Sequence, residues 1–178
     1  MAGKTDSVYW DSSIFLALLK GEEHRPGELE AIRKQANSFD EGNLDICTSV
    51  MTRVEVFTGK LSQDQKDRFE AMATRSNFTW VDVSPPVADL ATALRNQFAS
   101  YKDDGTFEKV WTPPDAIHIA SAVSVGVPTL LTLDSEGNSK QKELAMTAHS
   151  EDLMNQHGIR VMRPDTKWQQ GELDVKAE

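Results

Sequence analysis

Four acidic residues in this chain stand where a folded protein puts chemistry: Asp11, Glu55, Asp115 and Asp134. Asp11 directly follows the apolar run Val8-Tyr9-Trp10, and Asp134 directly follows the run Thr129 to Leu133. Glu55 lies in a helical segment, Met51 to Gly59, that leaves a second apolar run; Asp115 opens a helix after Thr112-Pro113-Pro114. If these carboxylates converge, they repel. Two unit charges about 5 Å apart at an effective dielectric near 20 cost roughly 3 kcal/mol, so the cluster must hold protons or cations. Hard oxygen ligands favour Mg²⁺ or Mn²⁺, which keep several waters and bind phosphate oxygens. A cation held in this way activates a water and orients a phosphodiester. The chemistry that convergence implies is metal-dependent hydrolysis of a phosphodiester bond.

Each acid also has an ordinary structural reading. Asp115 fits the first turn of a helix, where an acid complements the helix dipole. Glu55 on a helix fits a solvated face, and Asp134 in Leu133-Asp134-Ser135-Glu136-Gly137-Asn138 fits a turn. Asp11 is harder to explain that way, because it sits between a strand and the very apolar stretch Ile14 to Leu19, where burial is costly without a partner.

The elements that must position these acids are legible as alternating strands and helices, the pattern of a parallel sheet covered by helices. Strands are expected at Val8 to Trp10, Leu44 to Thr48, Phe78 to Val83, Thr129 to Leu133 and Ile159 to Met162. After Pro85-Pro86, residues Val87, Leu90, Ala91, Leu94, Phe98 and Tyr101 recur at helical spacing and predict one buried face. Further helices are expected over Gly27 to Phe39, Met51 to Gly59 and from Thr112-Pro113-Pro114-Asp115 to Val125. Lys102 to Glu108 and Asp134 to Ser139 read as polar loops. In an open parallel sheet the ligand site lies outside the carboxyl ends of the strands, where strand order reverses, and that is where these acids are expected to meet.

The 178 residues suit one domain, expected over residues 1–164 with a mobile tail over 165–178. The chain lacks the roughly 18 consecutive apolar residues of a membrane span. Ile14 to Leu19 is bounded by Asp11 and Lys20 without a basic start, so no signal peptide is expected. A single cysteine, Cys47, excludes an intrachain disulfide and a zinc cluster, and the protein reads as cytoplasmic. The net charge is −9, which opposes non-specific coating of a nucleic acid and leaves a local basic groove as the route to a transient encounter. Asp11-Ser12-Ser13 lacks a second acid two residues on, and no phosphate-cradling glycine loop follows the first strand, which disfavours a phospho-receiver or phosphatase.

Taken in order, Val8-Tyr9-Trp10-Asp11-Ser12-Ser13-Ile14, Thr48-Ser49-Val50 with Arg53 and Glu55, Asp115-Ala116-Ile117-His118-Ile119-Ala120-Ser121-Ala122, and Pro128 to Asp134 resemble the PIN-domain family, specifically its VapC-type toxins. The resemblance spans about residues 6–164. It implies an α/β protein, a three-layer α/β/α sandwich with a parallel sheet of about five strands. Its acidic pocket would bind Mg²⁺ or Mn²⁺ and cleave RNA. Asp11, Glu55 and Asp115 would be the principal metal and catalytic acids and Asp134 the fourth, with Glu136 as the alternative fourth acid. Ser13 and Thr132 would orient a carboxylate or a water, and Arg53 is a candidate phosphate contact or a surface ion-pair partner. His118, one turn after Asp115, is expected to pack rather than react. The implied partners are an RNA substrate, a small cognate antitoxin protein and a second copy in a homodimer. The alternatives are a PIN-type RNA-processing nuclease without a toxin role and a catalytically inactive binding module. The chain departs from the resemblance in extra segments around Gly21 to Gly27 and Lys102 to Trp111 and after Pro164, and in its acidic net charge.

Overall fold

The computed structural model describes residues 6–58, 60–138 and 140–165. In chain order the elements are β1 (Asp6–Trp10), α1 (Ser12–Lys20), α2 (Glu28–Asp40), β2 (Leu44–Ser49), α3 (Val50–Thr58), α4 (Gln63–Ala73), β3 (Phe78–Val81), α5 (Pro85–Phe98), β4 (Ser100–Tyr101), β5 (Phe107–Lys109), α6 (Pro113–Ser124), β6 (Thr129–Leu131), α7 (Ser150–His157) and β7 (Arg160–Met162). Five strands form one sheet in the order β3-β2-β1-β6-β7, and every neighbouring pair is parallel. The expected α/β architecture with a five-stranded parallel sheet is therefore present. The tail expected after Asp165 lies outside the described residues.

Side-chain alternation along the central strand divides the core into two layers. Tyr9 joins the buried cluster with Val87, Ala91 and Leu94 of α5, Ile119 of α6 and Leu153 of α7. Val8 and Trp10 point the other way, to Ile14 and Phe15 of α1, Ile32 and Phe39 of α2, Val56 of α3 and Phe69 of α4. Helices α1 to α4 thus cover one face and α5 to α7 the other, the three-layer solution for a sheet buried on both sides. Cys47 of β2 belongs to the α5–α7 side; its Sγ donates to the Val8 carbonyl at 3.5 Å, and burial pushes its thiol up to about 12.

From β1 the chain builds outward to β2 and β3, then returns to place β6 on the other side of β1. Strand order reverses at β1, so the crevice between the carboxyl ends of β1 and β6 is the position where open α/β sheets bind ligands. Asp11 lies at the end of β1 and Asp134 just beyond β6.

Several boundaries differ from expectation for visible reasons. β6 ends at Leu131, not Leu133: Thr132 N still donates to the Met162 carbonyl, but the two amides after it turn to side chains, Leu133 N to Ser13 Oγ at 2.9 Å and Asp134 N to Thr132 Oγ1 at 2.9 Å. β3 likewise ends at Val81. α5 ends at Phe98, and Tyr101 is exposed rather than core, because Ala99 turns extended and Ser100–Tyr101 pairs with Phe107–Lys109. The polar segment Lys102 to Glu108 is thus the tip of a hairpin, with Gly105 at φ +77° in its turn. α4 and α7 were not expected. α4 buries only Phe69 and α7 only Leu153, too little to print a helical stripe on the sequence.

Candidate active site

Asp11 is the N-cap of α1. Its Oδ1 accepts from Ser13 N at 3.0 Å, Ile14 N at 3.3 Å and Ser13 Oγ at 2.5 Å, and its Oδ2 accepts from Thr132 Oγ1 at 2.7 Å. These donors answer the cost of burying a carboxylate. Burial still raises its pKa, against the field of His118 and the bonds from Ser13 and Thr132. Both hydroxyls also reach the segment after β6, through Leu133 N and Asp134 N. They bind the first acid to the backbone that carries the fourth.

Asp115 forms a capping box with Thr112: Asp115 N donates to Thr112 Oγ1, while Thr112 N and Oγ1 donate back to Asp115 Oδ2 at 3.2 and 2.5 Å. The ordinary reading of Asp115 is therefore realised, and it leaves Oδ1 without a donor among the described residues. Burial raises this carboxyl to about 6, with the nearby charge of Asp134 adding to the rise while Thr112 and His118 oppose it.

Glu55, half-buried on α3, accepts from His118 Nε2 at 2.8 Å through Oε2. His118 Nδ1 lies 2.8 Å from the Tyr9 hydroxyl, which accepts from Ser49 N at 2.8 Å. Burial drives the Tyr9 pKa far up, so the phenol keeps its proton. The Ser49 amide donates to that oxygen, and His118 Nε2 carries the proton aimed at Glu55. His118 was expected to pack, and it is buried, but it is also polar-bonded at both nitrogens. Its field reaches Asp11 and Asp115 as well. An imidazole one turn after Asp115 on a helix that faces the strand ends was the available signal.

Asp134 is half-buried and its Oδ2 accepts from Met146 N at 3.0 Å. Arg163 fixes both its neighbours, donating to the Leu133 carbonyl and, at 2.8 Å, to Ser135 Oγ. The same guanidinium forms a two-point pair with Glu28 at the start of α2, through Nε to Oε1 and Nη2 to Oε2, the latter 2.8 Å. Burial pushes the Glu28 carboxyl up, but the Arg163 bond and charge outweigh it and hold the group below its ordinary value. Nothing in the spacing of Glu28 and Arg163, 135 residues apart, announces this clamp. Glu136 points outward and pairs with Arg25 at 3.3 Å.

Arg53 is not brought to the acids. It pairs with Glu70 of α4, Nη1 to Oε2 at 2.9 Å, and lies over the Phe57 ring.

Asp11 is thus tied to the Asp134 segment through Ser13 and Thr132, Asp115 feels the charge of Asp134, and Glu55 is reached through His118. Among the described residues, however, no three His, Cys, Asp or Glu side chains are gathered closely enough to cage an ion by themselves. The donor set nonetheless fits a hard divalent cation. The oxygens Oδ1 of Asp115, Oε1 of Glu55 and Oδ1 of Asp134 accept nothing from the described residues, and the Asp134 charge that adds to the burial-driven rise at Asp115 is what a cation relieves. Mg²⁺ commonly uses one or two carboxylates and keeps waters for the rest.

The sequence matches the family model of the PIN domain over residues 8–143, and curated proteins give no match. Among solved structures, the chain resembles VapBC2 from Rickettsia felis, solved bound to a DNA fragment from its promoter. The identity is 12%, over 89% of this chain and 99% of the other, with a TM-score of 0.55. A toxin-antitoxin complex from Klebsiella pneumoniae aligns at 23% identity over 72% of this chain and 88% of the other, with a TM-score of 0.47. The matched segment runs from β1 past Asp134 and includes all four acids, and the sheet order places two of them at its reversal point: this chain belongs to the PIN domain family.

Proposed function

We propose that the chain is a Mg²⁺- or Mn²⁺-dependent endoribonuclease acting as the toxin of a toxin–antitoxin pair, with a small antitoxin protein and a second copy of itself as partners. The observation that carries the nuclease reading is the stitching of Asp11 to the Asp134 segment by Ser13 and Thr132, in the crevice where β1 and β6 diverge. Membership of the PIN family supports it further, and the toxin role rests on the VapC-type resemblance.

In this reading Asp11, Glu55, Asp115 and Asp134 hold the cation, which when bound polarises the phosphodiester and its attacking water. Asp11 is held in one orientation by four donors. His118 fixes Glu55 through Oε2 and leaves Oε1 without a donor among the described residues. Asp115 presents to the cation the Oδ1 that its capping box leaves unoccupied, and the cation's charge would offset the Asp134 charge that adds to the rise of this carboxyl. Replacing Asp11 by Asn keeps the size of the cap while removing its charge. Asp11→Asn should abolish Mn²⁺-dependent cleavage of RNA while leaving the circular-dichroism spectrum unchanged; retained cleavage overturns the site assignment.

A further inference from the structure

An acidic nuclease must still attract a polyanion, and the segment between α1 and α2 supplies a local means. A cavity of about 290 Å³ is lined by Asp134 together with His24, Arg25, Ser135, Glu136 and Arg163, among others. Two guanidiniums converge there on one hydroxyl: Arg25 Nη2 donates to Ser135 Oγ at 3.1 Å and Arg163 Nη1 to the same atom at 2.8 Å. The two arginines differ in what balances them. Arg163 is tied to Glu28, a side chain only 7% exposed, and is fixed. Among the described residues the Arg25 guanidinium pairs directly with Glu136 alone, at 3.3 Å, their side chains 51% and 84% exposed, while its charge also reaches Glu28. An exposed pair of that kind is worth little and opens readily.

The Arg25 backbone, by contrast, is anchored, its N–H donating to Glu28 Oε2 at 2.9 Å. Its Nε and Nη1 have no acceptor among the described residues. The loop therefore delivers a guanidinium to the wall of the acidic crevice and leaves it able to exchange partners. Glu136 takes one of its N–H groups, whereas a phosphodiester accepts two in the planar geometry that guanidinium matches.

We propose that this cavity is a subsite for a second phosphate of the RNA strand, flanking the bond to be cut, with Arg25 as the phosphate contact and Glu136 as the carboxylate it displaces. The subsite rests on the nuclease reading for its ligand, and it assigns a role to the additional segment around Gly21 to Gly27. Arg25 and Glu136 then act with opposite sign: one draws the strand in, and the other competes with it.

The test is fluorescence anisotropy of a short labelled single-stranded RNA of mixed sequence against the full chain in EDTA, where binding is read without cleavage. Arg25→Gln should weaken binding about tenfold and reduce the slope of log affinity against log salt by about one. Glu136→Gln should tighten binding about threefold, a gain that no folding defect produces. In the double variant the Glu136→Gln gain should vanish, because its target is gone. Unchanged affinity in Arg25→Gln, or weaker binding in Glu136→Gln, overturns the proposal. So does displacement of the RNA by inorganic phosphate at a concentration no higher than the RNA's, which would mark a site for the free anion. Cleavage with Mn²⁺ is scored separately. A wild type that shows these shifts but never cuts RNA keeps the subsite and loses the nuclease reading; one that cuts RNA while both variants bind alike does the reverse.

Discussion

At the scale of single residues, the site is a set of carboxylates whose ionisation is set by what surrounds them. Asp115 illustrates the cost. Burial raises its carboxyl to about 6 in the folded chain from the ordinary 3.8, so between those values the folded state binds more protons than the unfolded one. Stability contributed by this group is therefore lost as pH rises from about 4 to about 6. Without metal, Asp115→Asn should flatten that part of the pH–stability curve and stabilise the protein at pH 7 by about 1–2 kcal/mol, measured by urea denaturation. An unchanged curve would show that Asp115 is not the strained acid. Tyr9 behaves in the opposite sense. Its hydroxyl serves both Ser49 N and His118, so Tyr9→Phe strands a buried amide and should destabilise by about 1–3 kcal/mol in the same assay.

At the scale of elements, the segment between β6 and α7 decides where the fourth acid sits. Gly137 lies there at φ +59°, and a Cβ on it would stand 2.5 Å from the Glu143 carbonyl oxygen and 2.8 Å from Ala145 N. Both are backbone atoms that cannot swing aside. Gly137→Ala should accordingly lower the melting temperature and displace Asp134, whose Oδ2 is held by Met146 N in the same turn. Equal stability and Mn²⁺ affinity in the variant would mean the loop adapts freely. Glu28→Gln should cost about 3 kcal/mol by unpairing Arg163 in a nearly buried setting. This is also the scale at which sequence was most and least informative. The acid-bearing elements were legible because each carries a local signal: an acid capping α1, a Thr-Pro-Pro-Asp start for α6, an apolar strand before Asp11. α4, α7 and the β4–β5 hairpin were not, since one buried side chain per helix leaves no periodicity. The Arg163–Glu28 clamp and the Tyr9–His118–Glu55 chain were hidden for another reason. They are contacts between distant residues, whose partners only the fold selects.

At the scale of the whole molecule, a net charge of −9 favours a basic partner through long-range steering that weakens with salt. A partner arginine laid on the carboxylates would take the charge-balancing place of the cation. Co-expression with a small cognate protein should then yield a complex whose Mn²⁺ affinity, measured by calorimetry, falls at least tenfold below that of the free chain. Equal affinity would rule out a pocket-blocking inhibitor. Val54, large, apolar and exposed on α3 beside Glu55, offers such a partner apolar area near the acids.

The lone thiol of β2 gives the chain a stopwatch of its own. Cys47 is walled in by the sheet and the α5–α7 layer, and with a pKa near 12 it presents almost no thiolate at neutral pH. An alkylating reagent can capture it only when the central strands part, so its labelling rate counts excursions of the protein through an open state. Because no acid of the crevice touches the sulfur, the same clock can be run with Mn²⁺, with RNA or with a partner present. Each occupant that binds only the closed form should slow it in proportion to how much of the chain it holds shut.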